Sequence, residues 1–133
     1  MPDAACPCGR TDAKGRMLPF AQCCGRYIGH YESTPAPDAP SLMRSRYTAF
    51  TLQDRDYLLA TWHERTRPAT LEFDAGAKWL GLDVRHARGI DDTHAEVEFV
   101  ARYRVGGRAV RLHERSRFVR EGGRWYYVDG EMR

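Results

Sequence analysis

Two hydrophobic periods divide the chain. Over residues 42–53 the apolar side chains Leu42, Met43, Tyr47, Ala49 and Phe50 recur at three-to-four spacing, which predicts an amphipathic helix capped by Ser41. A second helix is expected over 54–63, with Tyr57, Leu58, Thr61 and Trp62 inward. Arg67-Pro68 closes that unit, because proline steers the residue before it away from helical geometry. Beyond Trp79 the period becomes two. Residues 79–87, 94–105, 108–120 and 124–128 alternate or are rich in β-formers, with breaks at 88–92, Gly106-Gly107 and Gly122-Gly123. Each glycine pair predicts a type I′ hairpin, since both central residues of that turn need positive φ. Helices first and strands afterwards predict an α+β domain, with the N-terminal helices packed on one face of a curved antiparallel sheet.

The same periodicity turns two charges inward. At 100° per residue Arg46 falls inside the apolar stripe of the first helix, flanked by Leu42, Met43, Ala49 and Phe50, while Arg44 points the opposite way. On the third strand Val110, Leu112, Glu114, Ser116 and Phe118 share a face, so Glu114 points into the core or a cavity. An Arg46–Glu114 pair is therefore expected, with His63 at the end of the second helix as a third member. Such a group is either a buried ion pair that fixes the helix on the sheet or the polar floor of a pocket for a small anionic ligand.

Ahead of this domain lie the chain's only cysteines, Cys6-Pro7-Cys8 and Cys23-Cys24. Two close pairs separated by a short loop can converge on one tetrahedral metal, and four thiolates point to Zn2+. Four cysteine ligands leave no open position, so the site reads as structural rather than hydrolytic. A disulfide within either pair would close a strained ring, although pairing between the groups stays open. Residues 1–5 are too few for an apolar leader, so a cytoplasmic location is expected, where metal is favoured over disulfide. Residues 33–40 (STPAPDAP) read as a proline-rich connector. The expected plan is a knuckle over 1–32, that connector, and the α+β domain over 41–133. On this plan removing the metal melts about residues 1–30 alone.

Composition narrows the function classes. The formal charge is +3, carried almost wholly by arginine, but basic and acidic residues alternate. Nucleic-acid binding is thus disfavoured. No apolar run approaches the roughly 20 residues of a membrane span. A phosphate-cradling glycine loop, a nucleophile elbow and a His-Glu-x-x-His string are all missing.

The run Leu42-Met43-Arg44-Ser45-Arg46-Tyr47-Thr48-Ala49-Phe50, with Thr61-Trp62-His63, Thr66-Arg67-Pro68 and Trp125-Tyr126-Tyr127-Val128-Asp129-Gly130, resembles the YchJ family of small bacterial proteins. The start, Cys6-Pro7-Cys8-Gly9 with Cys23-Cys24-Gly25, is similar to the SEC-C zinc motif found at the end of the SecA translocation ATPase. The resemblance implies a nuclear transport factor 2-like cone, and cones of this type often form homodimers through the outer sheet face. It carries no activity with it. By analogy with the SEC-C tail, the leading expectation is a noncatalytic zinc-binding adaptor or ligand-binding protein. Its knuckle would dock a protein partner through Arg10, Lys14, Arg16 and Arg26. The alternative is a small isomerase- or hydratase-like enzyme acting inside the cone, a reading that rests on fold analogy.

Overall fold

The computed structural model describes residues 4–133. Two short 3-10 helices, Phe20–Gln22 and Cys24–Arg26, lead into α1 (Ala39–Leu52) and α2 (Arg55–Ala60). Four strands follow, β1 (Lys78–Asp91), β2 (His94–Val105), β3 (Arg108–Glu121) and β4 (Arg124–Met132). The strands form one antiparallel meander in the order β1-β2-β3-β4.

α1 begins three residues before the expected start. Asp38, not Ser41, is its cap, and its carboxylate accepts from the Ser41 backbone N–H at 2.7 Å. Pro40 belongs to the first turn, where a missing N–H goes unnoticed because that donor has no intrahelical partner. Gln53 ends the helix in the left-handed region at φ 55°. α2 is shorter than its pattern suggests. The Thr61 carbonyl accepts from Tyr127 N and His63 N donates to the Tyr127 carbonyl, both at 2.8 Å, so β4 draws the chain out of the helix.

Both glycine pairs make the expected hairpins, Gly106 and Gly107 at φ 57° and 76°, Gly122 and Gly123 at 58° and 81°. The first hairpin is longer than its pattern indicates. β1 runs on through Asp91, and the turn is drawn tight by Asp91 Oδ1 accepting from Thr93 N at 2.9 Å. β1 carries three register irregularities against β2, and such bulges bend a strand. α1 packs against β1, β2 and β4 on the inner face.

The knuckle shares a buried core with the domain behind it. Its four cysteines belong to the same buried cluster as Leu42, Tyr47 and Ala49 of α1 and Phe118 of β3. Arg10 Nη1 donates to Ser41 Oγ at 3.1 Å and Arg44 Nη1 to the Cys8 carbonyl at 3.0 Å. From the far end, Arg124 donates to the Tyr31 and Glu32 carbonyls, each at 2.6 Å.

Candidate metal centre and cone cavity

A small hairpin builds the first half of the cysteine site. Bridges join Ala5 to Pro19 and Thr11 to Met17, and Cys6 N donates to the Leu18 carbonyl at 2.9 Å. Asp12 closes the tip by accepting from the backbone N–H groups of Lys14 and Arg16. The 3-10 helices then present Cys23 and Cys24 from the opposite side. Gly25 lets them approach, since a Cβ there would lie 2.7 Å from the Phe20 carbonyl oxygen.

The four sulfurs lie within 4.8 Å of one another, with Cys8 and Cys23 at 3.5 Å, and each cysteine is at most 2% exposed. Zn–S bonds of about 2.3 Å in a tetrahedron put the sulfurs about 3.8 Å apart, so the spacing and the donor set both fit a metal ion. The thiols are unbridged. Hydrogen bonds from Cys24 and Cys8 hold the Cys6 thiol far below the ordinary range. Burial pushes Cys23 up to about 12, and the bond to Cys6 raises Cys24 as well. Four buried thiols therefore resist ionising together unless a cation compensates them. Thr48 Oγ1 of α1 lies 3.7 Å from Cys6 Sγ, a partner in the shell outside the ligands.

Behind α1 the cone encloses a cavity of about 400 Å³, inside the roughly 300–1,000 Å³ range of small-molecule sites. Tyr47, Phe50, Phe73, Trp79 and Tyr103 form an aromatic wall, with Trp79 5.5 Å from Tyr47 and 4.9 Å from Tyr103 between ring centroids. Arg46 and Glu114 both line it, but they do not form the expected ion pair. Arg46 Nη1 instead donates to the Leu58 carbonyl at 2.8 Å and to Thr61 Oγ1 at 2.7 Å. The last carbonyls of a helix lack intrahelical donors, so the end of α2 attracts a guanidinium that a carboxylate was expected to hold. The guanidinium carbon lies 5.0 Å from the Trp62 ring centroid and 4.5 Å from that of Tyr127, in the corner of two rings at 83°. Burial lowers its pKa to about 10, against the opposing pull of Tyr127, Tyr57 and Glu114, so it stays cationic at neutral pH.

Glu114 has a different partner. Ser116 Oγ donates to its Oε2 at 2.6 Å, and the carboxylate lies against Gly130, where a Cβ would collide with it. Burial, and then the Glu114 charge, push the Tyr127 phenol up to about 12, so it remains a neutral donor. His63 is not a third member. Its backbone is pinned to β4, its Nε2 meets Glu121 Oε2 at 2.7 Å, and its ring packs edge-on against Tyr126 outside the cavity.

The knuckle's basic rim is largely engaged within the chain. Arg10 holds Ser41, Arg26 Nε donates to the Cys23 carbonyl while stacking on Tyr27, and Arg16 pairs with Asp12. The residues that periodicity left out are the Trp62–Tyr127 corner, Ser116 as the holder of Glu114, and Gly130. The inward assignments of Thr61 and Trp62 were the available signal for the corner. Nothing in the pattern marked Gly130.

The geometry defines a class, a nuclear transport factor 2-like cone joined to a cysteine knuckle of the SEC-C type. Within it the chain belongs to the YchJ family, whose description "YchJ, middle NTF2-like domain" matches residues 38–130. It is 65% identical to a UPF0225 protein of Polaromonas sp., covering all of this chain and 96% of the relative. A UPF0225 protein of Bordetella parapertussis is 57% identical over 98% of this chain and 94% of the relative. Among solved structures, a SEC-C motif containing protein from Rhodopseudomonas palustris superposes with a TM-score of 0.79. It is 33% identical, over 96% of this chain and 98% of that one. A second, from Psychrobacter arcticus, gives 0.80 at 27% identity, over 96% and 82%. No helix among the described residues is long and apolar enough to cross a membrane.

Proposed function

We propose that this protein binds a small molecule in its cone, and that Cys6, Cys8, Cys23 and Cys24 hold a structural Zn2+ that fixes the knuckle against α1. Four buried thiolates suit a soft, tetrahedral, closed metal site, and such an ion supplies folding free energy rather than a reactive water. The observation that carries the ligand reading is Arg46. It is 4% exposed, lines the cavity, and has only Nη1 engaged by protein acceptors among the described residues. A buried guanidinium with open donors is a receptor for an acceptor group on a ligand. The engagement of Arg10, Arg16 and Arg26 within the chain weighs against the arginine rim as a protein-docking surface.

Native mass spectrometry of the full chain, with metal analysis, tests both parts. The expected result is one zinc per chain, together with binding of the dye 8-anilinonaphthalene-1-sulfonate that Leu112→Trp, which fills the cavity, removes. A wild-type chain that carries no metal and leaves the dye unbound ends the proposal.

A second reading rests on Glu114. Its carboxylate faces an aromatic cavity without an arginine in ion-pair contact, so it is free to accept a proton from a bound substrate. Exchange of substrate C–H for deuterium in heavy water, abolished by Glu114→Gln, is the outcome that would favour an enzyme over a binding protein.

A further inference from the structure

We infer that the cone cavity takes a small zwitterion with an aromatic or apolar body, its anionic group on Arg46 and its protonated amine on Glu114. The inference deepens the ligand-binding reading and rests on it.

Both charged groups are held still from behind. Arg46 is fixed by two acceptors on Nη1 and by the Trp62–Tyr127 corner. Its Nε and Nη2 have no acceptor among the described residues. They are not sealed off either, since the buried side-chain polar atoms without partners are Trp62 Nε1 and Arg115 Nε. Glu114 is fixed by Ser116 and seated on Gly130. A cation and an anion thus face one cavity without closing on each other, each restrained by a different element. A ligand that bridges them satisfies both.

Charge then selects the ligand's chemistry. Besides Arg46, the lining holds three carboxylates, Glu72, Asp74 and Glu114, and among the described residues no further arginine or lysine. An anion without a compensating amine would gain Arg46 but meet three like charges. An amine alone would suit the carboxylates and the aromatic faces, yet it would leave the open Arg46 donors without an acceptor. A zwitterion meets both demands, and its body lies along Tyr47, Phe50, Phe73 and Trp79. This sharpens the expectation of a simple anionic ligand.

Three probes with the same phenyl body separate the cases, namely L-phenylalanine, phenethylamine and 3-phenylpropionate. Binding to the full chain is measured by titration calorimetry and by displacement of the cavity dye 8-anilinonaphthalene-1-sulfonate. The expected result is that L-phenylalanine binds at least tenfold tighter than either partner probe. Glu114→Gln should weaken L-phenylalanine at least tenfold while leaving 3-phenylpropionate as tight or tighter, a pattern that loss of folding cannot imitate. If 3-phenylpropionate matches L-phenylalanine on the wild-type chain, the site is a plain anion site and the inference is overturned. Phenethylamine matching it overturns the inference in favour of a cation site. Should the dye bind and none of the three displace it, the inference falls while the ligand reading stands. If neither the dye nor any of the three probes binds, both fall.

Discussion

The knuckle and the cone cavity treat polar groups in opposite ways. In the knuckle four sulfurs converge on one point, each at most 2% exposed, with Thr48 behind Cys6 and Arg44 on the Cys8 carbonyl. Nothing reactive is left facing outward. In the cavity Arg46 and Glu114 are anchored from behind but remain apart in front. Function in this chain therefore belongs with the cavity rather than with the cysteines. A closed cluster whose donors all point at one another stabilises the fold, whereas an incompletely satisfied pair on an aromatic wall is a place for something else to bind.

The strongest way to break that contrast is metal removal. Structural zinc contributes on the order of 10 kcal/mol to small metal-dependent folds. Because the sulfurs share a core with α1, chelation or Cys8→Ser should release hydrogen-exchange protection in residues 4–32 and in α1 together. Protection lost in residues 4–32 alone would restore the knuckle as an appendage. Phe118→Ala comes next. This side chain is 1% exposed beneath both regions, and its loss should cost about 3–5 kcal/mol in urea unfolding without altering zinc content.

Arg46→Met should cost less, about 1–3 kcal/mol, for leaving the Leu58 carbonyl and Thr61 hydroxyl short of a donor. Its larger effect should be loss of dye binding; retained binding would detach Arg46 from the cavity's role. Asp38→Ala removes the α1 cap and should lower stability by about 1 kcal/mol, read from the urea midpoint. At the bottom of the scale, Arg16→Ala breaks only an exposed pair with Asp12 and should change stability by less than about 1 kcal/mol. A large loss there would mean that the rim matters more than its geometry indicates.

Periodicity made much of this legible. The helix stripe turned Arg46 inward, the strand alternation turned Glu114 inward, and paired glycines marked two of the three hairpin turns of the four-stranded meander. What periodicity could not supply was the partner of each charge. Matching charge with charge overlooks backbone carbonyls, and the frayed end of α2 holds Arg46 through such a group. His63 was misassigned for a related reason. Its side-chain direction is set by main-chain pairing with Tyr127, a contact made 64 residues later in the chain and invisible to any local window. The turn is narrower than the expected 88–92, because Arg88 and Gly89 look like turn residues yet pair with Glu96 and Ala95 in the ladder.

The grip of Arg124 on the Tyr31 and Glu32 carbonyls also sets an order of assembly. The knuckle's cysteines lie within one short stretch, but the segment leaving them is tied down by a residue 93 positions after Tyr31. At about 5–20 residues per second of synthesis, that interval is about 5–20 s. Until then the Tyr31 and Glu32 carbonyls lack the donor that holds them in the folded chain, so the neck of the knuckle is fastened only when β4 arrives.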